Sequence, residues 1–261
     1  MGRRVILRIL SDRTIKLVLE YEGTAYGGWQ RQVNAPSVQQ MLEEKLIEMT
    51  REAGLRVVGA GRTDAGVHAL GQVAAFRTQT RIPTLGFLRG LNSLLPRDIA
   101  ILACDEVAPD FDPRRSARGK LYRYRILNRP ARSALRERFV WHLPAPPLSV
   151  AAMAAAAAPL YGRHDFAAFR AADCERQTTI RTLSRLDVAP HGDEIVIDVA
   201  GDAFLKNMVR IIVGTLVAAG RGELSPADVA RIRDQRDRTR AGMTAPAHGL
   251  YLVEVFYEPA L

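Results

Sequence analysis

The chain predicts an α+β fold of two β-α-β-β-α-β units, the split ferredoxin-like plan, because its two halves run through the same succession of strand and helix patterns. Two further observations support this. Apolar residues alternate with period two in the strand candidates and recur every three or four residues in the helix candidates. Cap and stop residues stand where those patterns begin and end. Two such units can join edge to edge into one extended, mostly antiparallel sheet with helices on one face and a basic cleft between the halves. A length of 261 residues with 48% hydrophobic and 25% charged side chains suits one large or two small globular domains.

In the first half, Thr14 to Tyr21 alternates as a strand, and Glu22 to Pro36 is a glycine-rich polar loop. Ser37 with Gln40 three residues on reads as a capping box. Val38, Met41, Leu42, Leu46 and Met49 then form one apolar helical stripe, which Gly54 is expected to end. Strands follow at Leu55–Val58 and Gln72–Phe76, then a helix over Thr84–Leu94 and a short strand over Ile99–Cys104. In the second half, Lys120–Leu127 is a strand and Ser149–Ala158 an alanine-rich helix stopped by Pro159. Thr178–Val188 and Glu194–Ala200 are strands joined by the turn Pro190–Asp193. Phe204–Ala219 is an amphipathic helix, Ser225-Pro226 opens another, and Leu250–Tyr257 is the last strand. The expected division is an N-terminal extension over 1–12, an α/β domain over 13–112 and a second over 113–261.

Asp64 carries the strongest chemical signal. It lies in Gly59-Ala-Gly-Arg-Thr-Asp-Ala-Gly66, a glycine-rich connection between two strands, with Arg62 two residues before it. Such glycines let the backbone bend and let a bulky group approach. The plain alternative is an aspartate in a β-turn. The net charge is +9, and the stretch Arg114–Arg138 alone holds nine arginines and Lys120 against one acid, Glu137. Tyr122 and Tyr124 are interleaved there, a pattern suited to a polyanion with stackable bases. Both tyrosines share one strand face and Arg123 and Arg125 the other. Stacking on a base and packing in the core both remain open for the tyrosines. Lys206 and Arg210, four residues apart, offer a cation to a buried carboxylate, with a surface role the plainer reading for Lys206.

Other classes lack support. Cys104 and Cys174 form no CxxC and fit a reducing cytoplasm. The five histidines show no ligand spacing, and HExxH, GxSxG, GKS/T, GxGxxG and RNP1 patterns are missing. A metal-dependent phosphotransferase using Asp64 and Asp202 is a weak reading, because it needs a second acidic ligand at useful geometry and nothing in the spacing suggests one. No apolar run approaches the roughly 20 residues of a membrane span, and Met1–Arg13 does not read as a signal peptide.

The string GAGRTDAGVHALGQVAAF resembles the signature of the A-type tRNA pseudouridine synthases, and further blocks agree in order: LVLEYEGTAYGGWQRQ, LNSLLP, SARGKLYRYRI, LYGRHDFAAF, FLKNMVRIIVG and APAHGLYLVEVFY. The resemblance runs from about Thr14 to the C-terminus. It implies the pseudouridine synthase fold. It also implies isomerisation of uridine to pseudouridine at positions 38, 39 and 40 of tRNA, in the anticodon stem-loop, with no metal or organic cofactor. By the same resemblance, Asp64 is the catalytic carboxylate, acting through a covalent adduct or a glycal. Tyr122 stacks on the uracil, Arg210 pairs with Asp64 and keeps it ionised, and Arg62 helps expel the base. A cytoplasmic homodimer binding one tRNA across both subunits is implied as well.

Overall fold

The computed structural model describes residues 12–174 and 176–258, so the expected N-terminal extension lies, save Asp12, outside the described residues. The elements are β1 (Arg13–Tyr21), α1 (Val38–Thr50), β2 (Val57–Gly59), β3 (His68–Thr78), α2 (Thr84–Leu94) and β4 (Ile99–Val107) in the first half. They continue with β5 (Gly119–Leu127), β6 (Trp141–His142), α3 (Val150–Ala157), β7 (Gly162–Asp165), β8 (Ile180–His191), β9 (Glu194–Gly201), α4 (Met208–Gly220), α5 (Pro226–Gln235) and β10 (Leu250–Phe256).

All strands join one sheet in the order β4-β1-β3-β10-β5-β9-β8-β7, with β2 on β3 and β6 on β5. A four-strand order repeats in the second half: β4-β1-β3-β2 is matched by β10-β5-β9-β8. That is the expected pair of ferredoxin-like units joined edge to edge. The join is the short parallel pairing of β3 with β10, Tyr251 opposite His68 and Leu252 opposite Ala69.

Strand alternation explains the core. Ile15, Leu17, Leu19 and Tyr21 of β1 are buried on the face that carries the helices, where Leu42, Leu46, Phe87 and Leu91 are also buried. Phe76 of β3 meets Phe87 of α2 edge-on at 5.2 Å. Each fully buried Leu or Phe contributes about 1.5–3 kcal/mol of transfer free energy. In the second half Tyr124, Ile126, Ile197 and Val199 meet Ile212 and Leu216 of α4 in the same cluster.

Register is interrupted twice beside the join. Leu19 pairs with Gln72 but Tyr21 with Ala69, so β3 holds an extra residue there. Leu252 pairs with Tyr122 but Glu254 with Leu121, which marks a second bulge on β10. A bulge shifts the alternation of faces by one. Ala69 therefore shares the helix-covered face with Gln72 and Ala74, and His68 points to the other.

Two boundaries and one cap differ from expectation for local reasons. Helix α1 ends at Arg51, in the left-handed region at φ 62°, three residues before Gly54. Ser37 accepts from Gln40 N, but the Gln40 side chain turns to Glu44, so only half of the capping box forms. The complete box is at α5, where Ser225 and Asp228 cap each other's backbone. Helix α4 begins at Met208 and not at Phe204, because Asn207 is left-handed at φ 60°.

Candidate active site around Asp64

Asp64 sits in the connection from β2 to β3 and is half-buried. Val67 N bonds Asp64 O at 3.1 Å and closes a turn whose third residue, Gly66, has φ +76°. A turn of this shape needs a positive φ at that position, which glycine meets without steric cost. The loop after β1 braces the turn from beneath. Trp29 N donates to Thr63 O (3.1 Å), Gly66 N to Tyr26 O (3.3 Å), and the Tyr21 hydroxyl bonds Thr63 Oγ1 (2.7 Å). Gln72 Nε2 reaches Gly61 O at 3.0 Å. Gly28, at φ +103°, lies so close that a Cβ there would stand 2.4 Å from Thr63 O. The glycines flanking Asp64 serve the protein's own packing: Gly59 backs onto the Trp29 indole and Gly61 onto the Lys120 side chain.

Burial pushes the Asp64 carboxyl above its ordinary value, while Arg210 and then Lys206 pull it back and Asp173 adds a small push upward. The expected direct pairing of Arg210 with Asp64 is not made. The Arg210 guanidinium bonds Ala245 O at 2.6 Å and Asn207 Oδ1 at 3.0 Å, and acts on Asp64 through its field alone. Lys206 precedes α4, so it is not a helical neighbour of Arg210; its ammonium meets Asp173 Oδ2 at 2.5 Å. Arg62 is exposed, and its one side-chain bond is Nε to Gln30 Oε1 at 3.1 Å.

The pairing across the join brings Tyr122 to this site. Ala69, Leu252, Tyr122 and Val199 form one row across β3, β10, β5 and β9. Tyr122 is 8% exposed, and its ring stands edge-on to Phe204 at 5.0 Å. Burial, then Tyr21 and Asp64, push its phenol upward, which sets the hydroxyl close to both. Tyr124 takes the core alternative: it is fully buried and its hydroxyl donates to Pro246 O at 2.7 Å.

The arginine-rich stretch is largely neutralised from elsewhere in the chain, which corrects its expected role as one phosphate grip. Arg123 holds Asp198 through two bonds (2.7 and 2.9 Å) and Arg125 holds Glu194 likewise (2.8 and 2.9 Å), on the face away from Tyr122. Arg129 and Arg136 share Asp193, Arg132 meets Glu137 and Arg138 meets Glu22. Among the described residues, Arg114, Arg115, Arg118 and Lys120 are the members of the stretch left without an acid partner. Asp202, considered above as a metal ligand, spends Oδ1 on the amides of Thr182 and Ala203.

Sequence reasoning missed three contributors: the Trp29 brace, Phe204 against Tyr122, and Lys120 beside Gly61. All three lie within the blocks quoted above, but only tertiary pairing shows what they touch.

The sequence profile described as tRNA pseudouridine synthase matches residues 17–114 and 156–258 of this chain. The chain belongs to the tRNA pseudouridine synthase family. The tRNA pseudouridine synthase A of Pelobacter propionicus is 52% identical over 245 residues, which covers 94% of this chain and 100% of the relative. That of Myxococcus xanthus is 52% identical over 244 residues, 93% of this chain and 91% of the relative. That of Geotalea daltonii is 50% identical over 245 residues, 94% of this chain and 100% of the relative. Both stretches matched by the tRNA pseudouridine synthase profile contain site residues: Arg62 and Asp64 in the first, Arg210 in the second. Tyr122 lies between them.

One expected outcome concerns Arg210. Removing its charge takes away the largest influence holding the Asp64 carboxyl down, so the proton is kept to higher pH. For Arg210→Met, the acid limb of kcat/KM for pseudouridine formation should move to higher pH, with the lost rate partly regained as pH is raised. A limb unmoved from wild type would remove Arg210 from the control of Asp64.

Proposed function

We propose that the chain isomerises uridine to pseudouridine in the anticodon stem-loop of tRNA, with the Asp64 carboxylate as the catalytic group. The N1–C1′ bond breaks, the uracil turns, and a C5–C1′ bond forms. The C5 hydrogen leaves as a proton and N1 gains one, so the product is an isomer. The observation that carries this reading is a half-buried carboxylate, braced in a rigid turn, beside a tyrosine whose hydroxyl has no protein partner among the described residues. A stacked uracil must first leave the helix, at a cost of a few kcal/mol, and stacking on an aromatic ring returns about 1–3 kcal/mol. In this reading Tyr122 supplies that ring, Arg62 enters the space the base vacates, and Arg210 favours the ionised form of Asp64. The carboxylate then attacks the sugar or base, or opens a glycal route.

No described helix is long and apolar enough to cross a membrane. The proposed setting is the cytoplasm, and the proposed assembly is a homodimer holding one tRNA across both subunits. Residues 13–112 and 113–261 would act as two domains, the first bearing Asp64 and the second Tyr122.

The test is tritium release from tRNA labelled at uracil C5, with nuclease mapping of the product. Release at the anticodon stem-loop is expected. Release confined to other regions of tRNA would overturn the proposed target, and no release from any tRNA would overturn the activity.

A further inference from the structure

Arg181, on β8, is 7% exposed, and its Nε has no hydrogen-bond partner among the described residues. Its Nη1 donates to Ile180 O at 2.5 Å, which holds one arm of the fork and leaves the buried Nε donor unmatched among the described residues. Buried donors are almost always satisfied, and a charged one left unmatched is costly. The nearest acid felt by Arg181, Asp202, makes no ion pair with it, and its Oδ1 is taken by two backbone amides.

Sheet register shows what Arg181 faces. Lys120 of β5 lies opposite Gly201 of β9, and Gly201 opposite Leu183 of β8. Leu183 and Arg181 share a face, by alternation, with Lys120 and Tyr122. A Cβ added to Gly201 would stand 2.7 Å from Thr182 O and 3.0 Å from Leu183 Cδ2, so the strands pack closely at that point. At the other end, a Cβ added to Gly61 would stand 3.4 Å from Lys120 Nζ, which puts that ammonium against the catalytic turn. Arg176, exposed in the segment before β8, acts electrostatically on both Lys120 and Arg181, and Arg114 acts on Lys120. Among the described residues none of Arg114, Lys120, Arg176 and Arg181 has an ion-pair partner, whereas six arginines of the Arg114–Arg138 stretch do. Like charges gathered near one another without counter-charges are stabilised by an anion among them, and an unmatched guanidinium N–H fits a phosphate oxygen.

We propose that Arg181, with Arg176 and Lys120, forms a phosphodiester-binding subsite beside the catalytic turn, which takes the RNA backbone next to the everted uridine. The subsite rests on the reading that the substrate is tRNA. Arg181 is a positioning residue: it holds the strand so that the nucleoside enters between Tyr122 and Asp64.

The test uses the full chain and anticodon hairpins in which one phosphodiester at a time is replaced by an uncharged methylphosphonate. Wild type should lose about tenfold in affinity at one position, or two adjacent ones. Arg181→Met should bind the unmodified hairpin about tenfold more weakly and be indifferent to neutralisation at that same position. Its salt slope should be shallower by about 0.7–0.9. Tritium release should show a raised KM with kcat largely kept. If Arg181→Met does not fold, Arg176→Gln, at an exposed position, should lose sensitivity at the same phosphate. Additive losses at every position, or wild-type affinity and slope in both variants, would overturn the subsite. Protection of wild type, but not Arg181→Met, by inorganic phosphate without coupling to any hairpin position would show a free-anion site and overturn it too. Binding is read without turnover, so failure of the isomerase reading would appear separately, as wild-type binding and coupling without tritium release.

Discussion

Asp64→Asn is expected to keep tRNA affinity near wild type, to lower isomerisation by roughly four or more orders of magnitude, and to melt at a higher temperature than wild type. The first two outcomes follow from chemistry. The amide keeps the shape and the turn but offers no carboxylate to sugar or base, and binding rests on cations and Tyr122. The third follows from burial. The Asp64 carboxyl is pushed above its ordinary value mainly by desolvation. A carboxyl whose folded pKa exceeds its unfolded one binds its proton more tightly in the native state. Stability is then lost as pH rises from the unfolded pKa through the folded one, and the full deficit is present at neutral pH. Asparagine carries no such deficit, so a gain of about 0.5–2 kcal/mol is expected, a few degrees for a chain of this size. Calorimetry beside tritium release checks all of it. Near-wild-type turnover would defeat the catalytic assignment, and a lower melting temperature would show that the carboxylate is stabilised in place.

Tyr122→Ala is expected to lose far more than Tyr122→Phe. The ring is buried against Phe204, so truncation leaves a cavity costing about 3–5 kcal/mol of stability and removes the stacking surface, worth another 1–3 kcal/mol in binding. Phenylalanine keeps both. Its hydroxyl makes no bond to the described residues, so its removal leaves no protein group unpaired. Single-turnover rates and hairpin affinities for the two variants separate the roles. Equal, complete loss of isomerisation in both, with affinity kept in the phenylalanine variant, would place the hydroxyl in the chemistry.

Much of this molecule is legible in its sequence, because period and caps report local physics. The two-fold succession of elements, the stripe of Val38, Leu42 and Leu46, and the shared face of Tyr122 and Tyr124 all follow from alternation and helical spacing. Properties set by distant partners are less accessible. Counting charge along Arg114–Arg138 suggests a continuous polyanion grip, but Asp193, Glu194 and Asp198 arrive from the β8–β9 hairpin and neutralise most of it. The left-handed Asn207 is invisible in an apolar pattern that continues through it, and so Lys206 was placed one helix face too near Arg210. Strands β6 and β7, of two and four residues, carry too little alternation to announce themselves. Arg181 looks like any strand arginine until the folded chain shows it buried.

The short parallel seam between β3 and β10 limits how the chain can change length. Only two residue pairs align β3, which follows the turn that bears Asp64, with β10, which in turn pairs with the strand that bears Tyr122, and each seam strand has an extra residue beside them. Adding or deleting one residue in β10 there would exchange odd for even, presenting Tyr251 where Leu252 lies opposite Tyr122. The exposed loop 31–34 lies away from these pairs, but the few residues on either side of the seam are fixed in number.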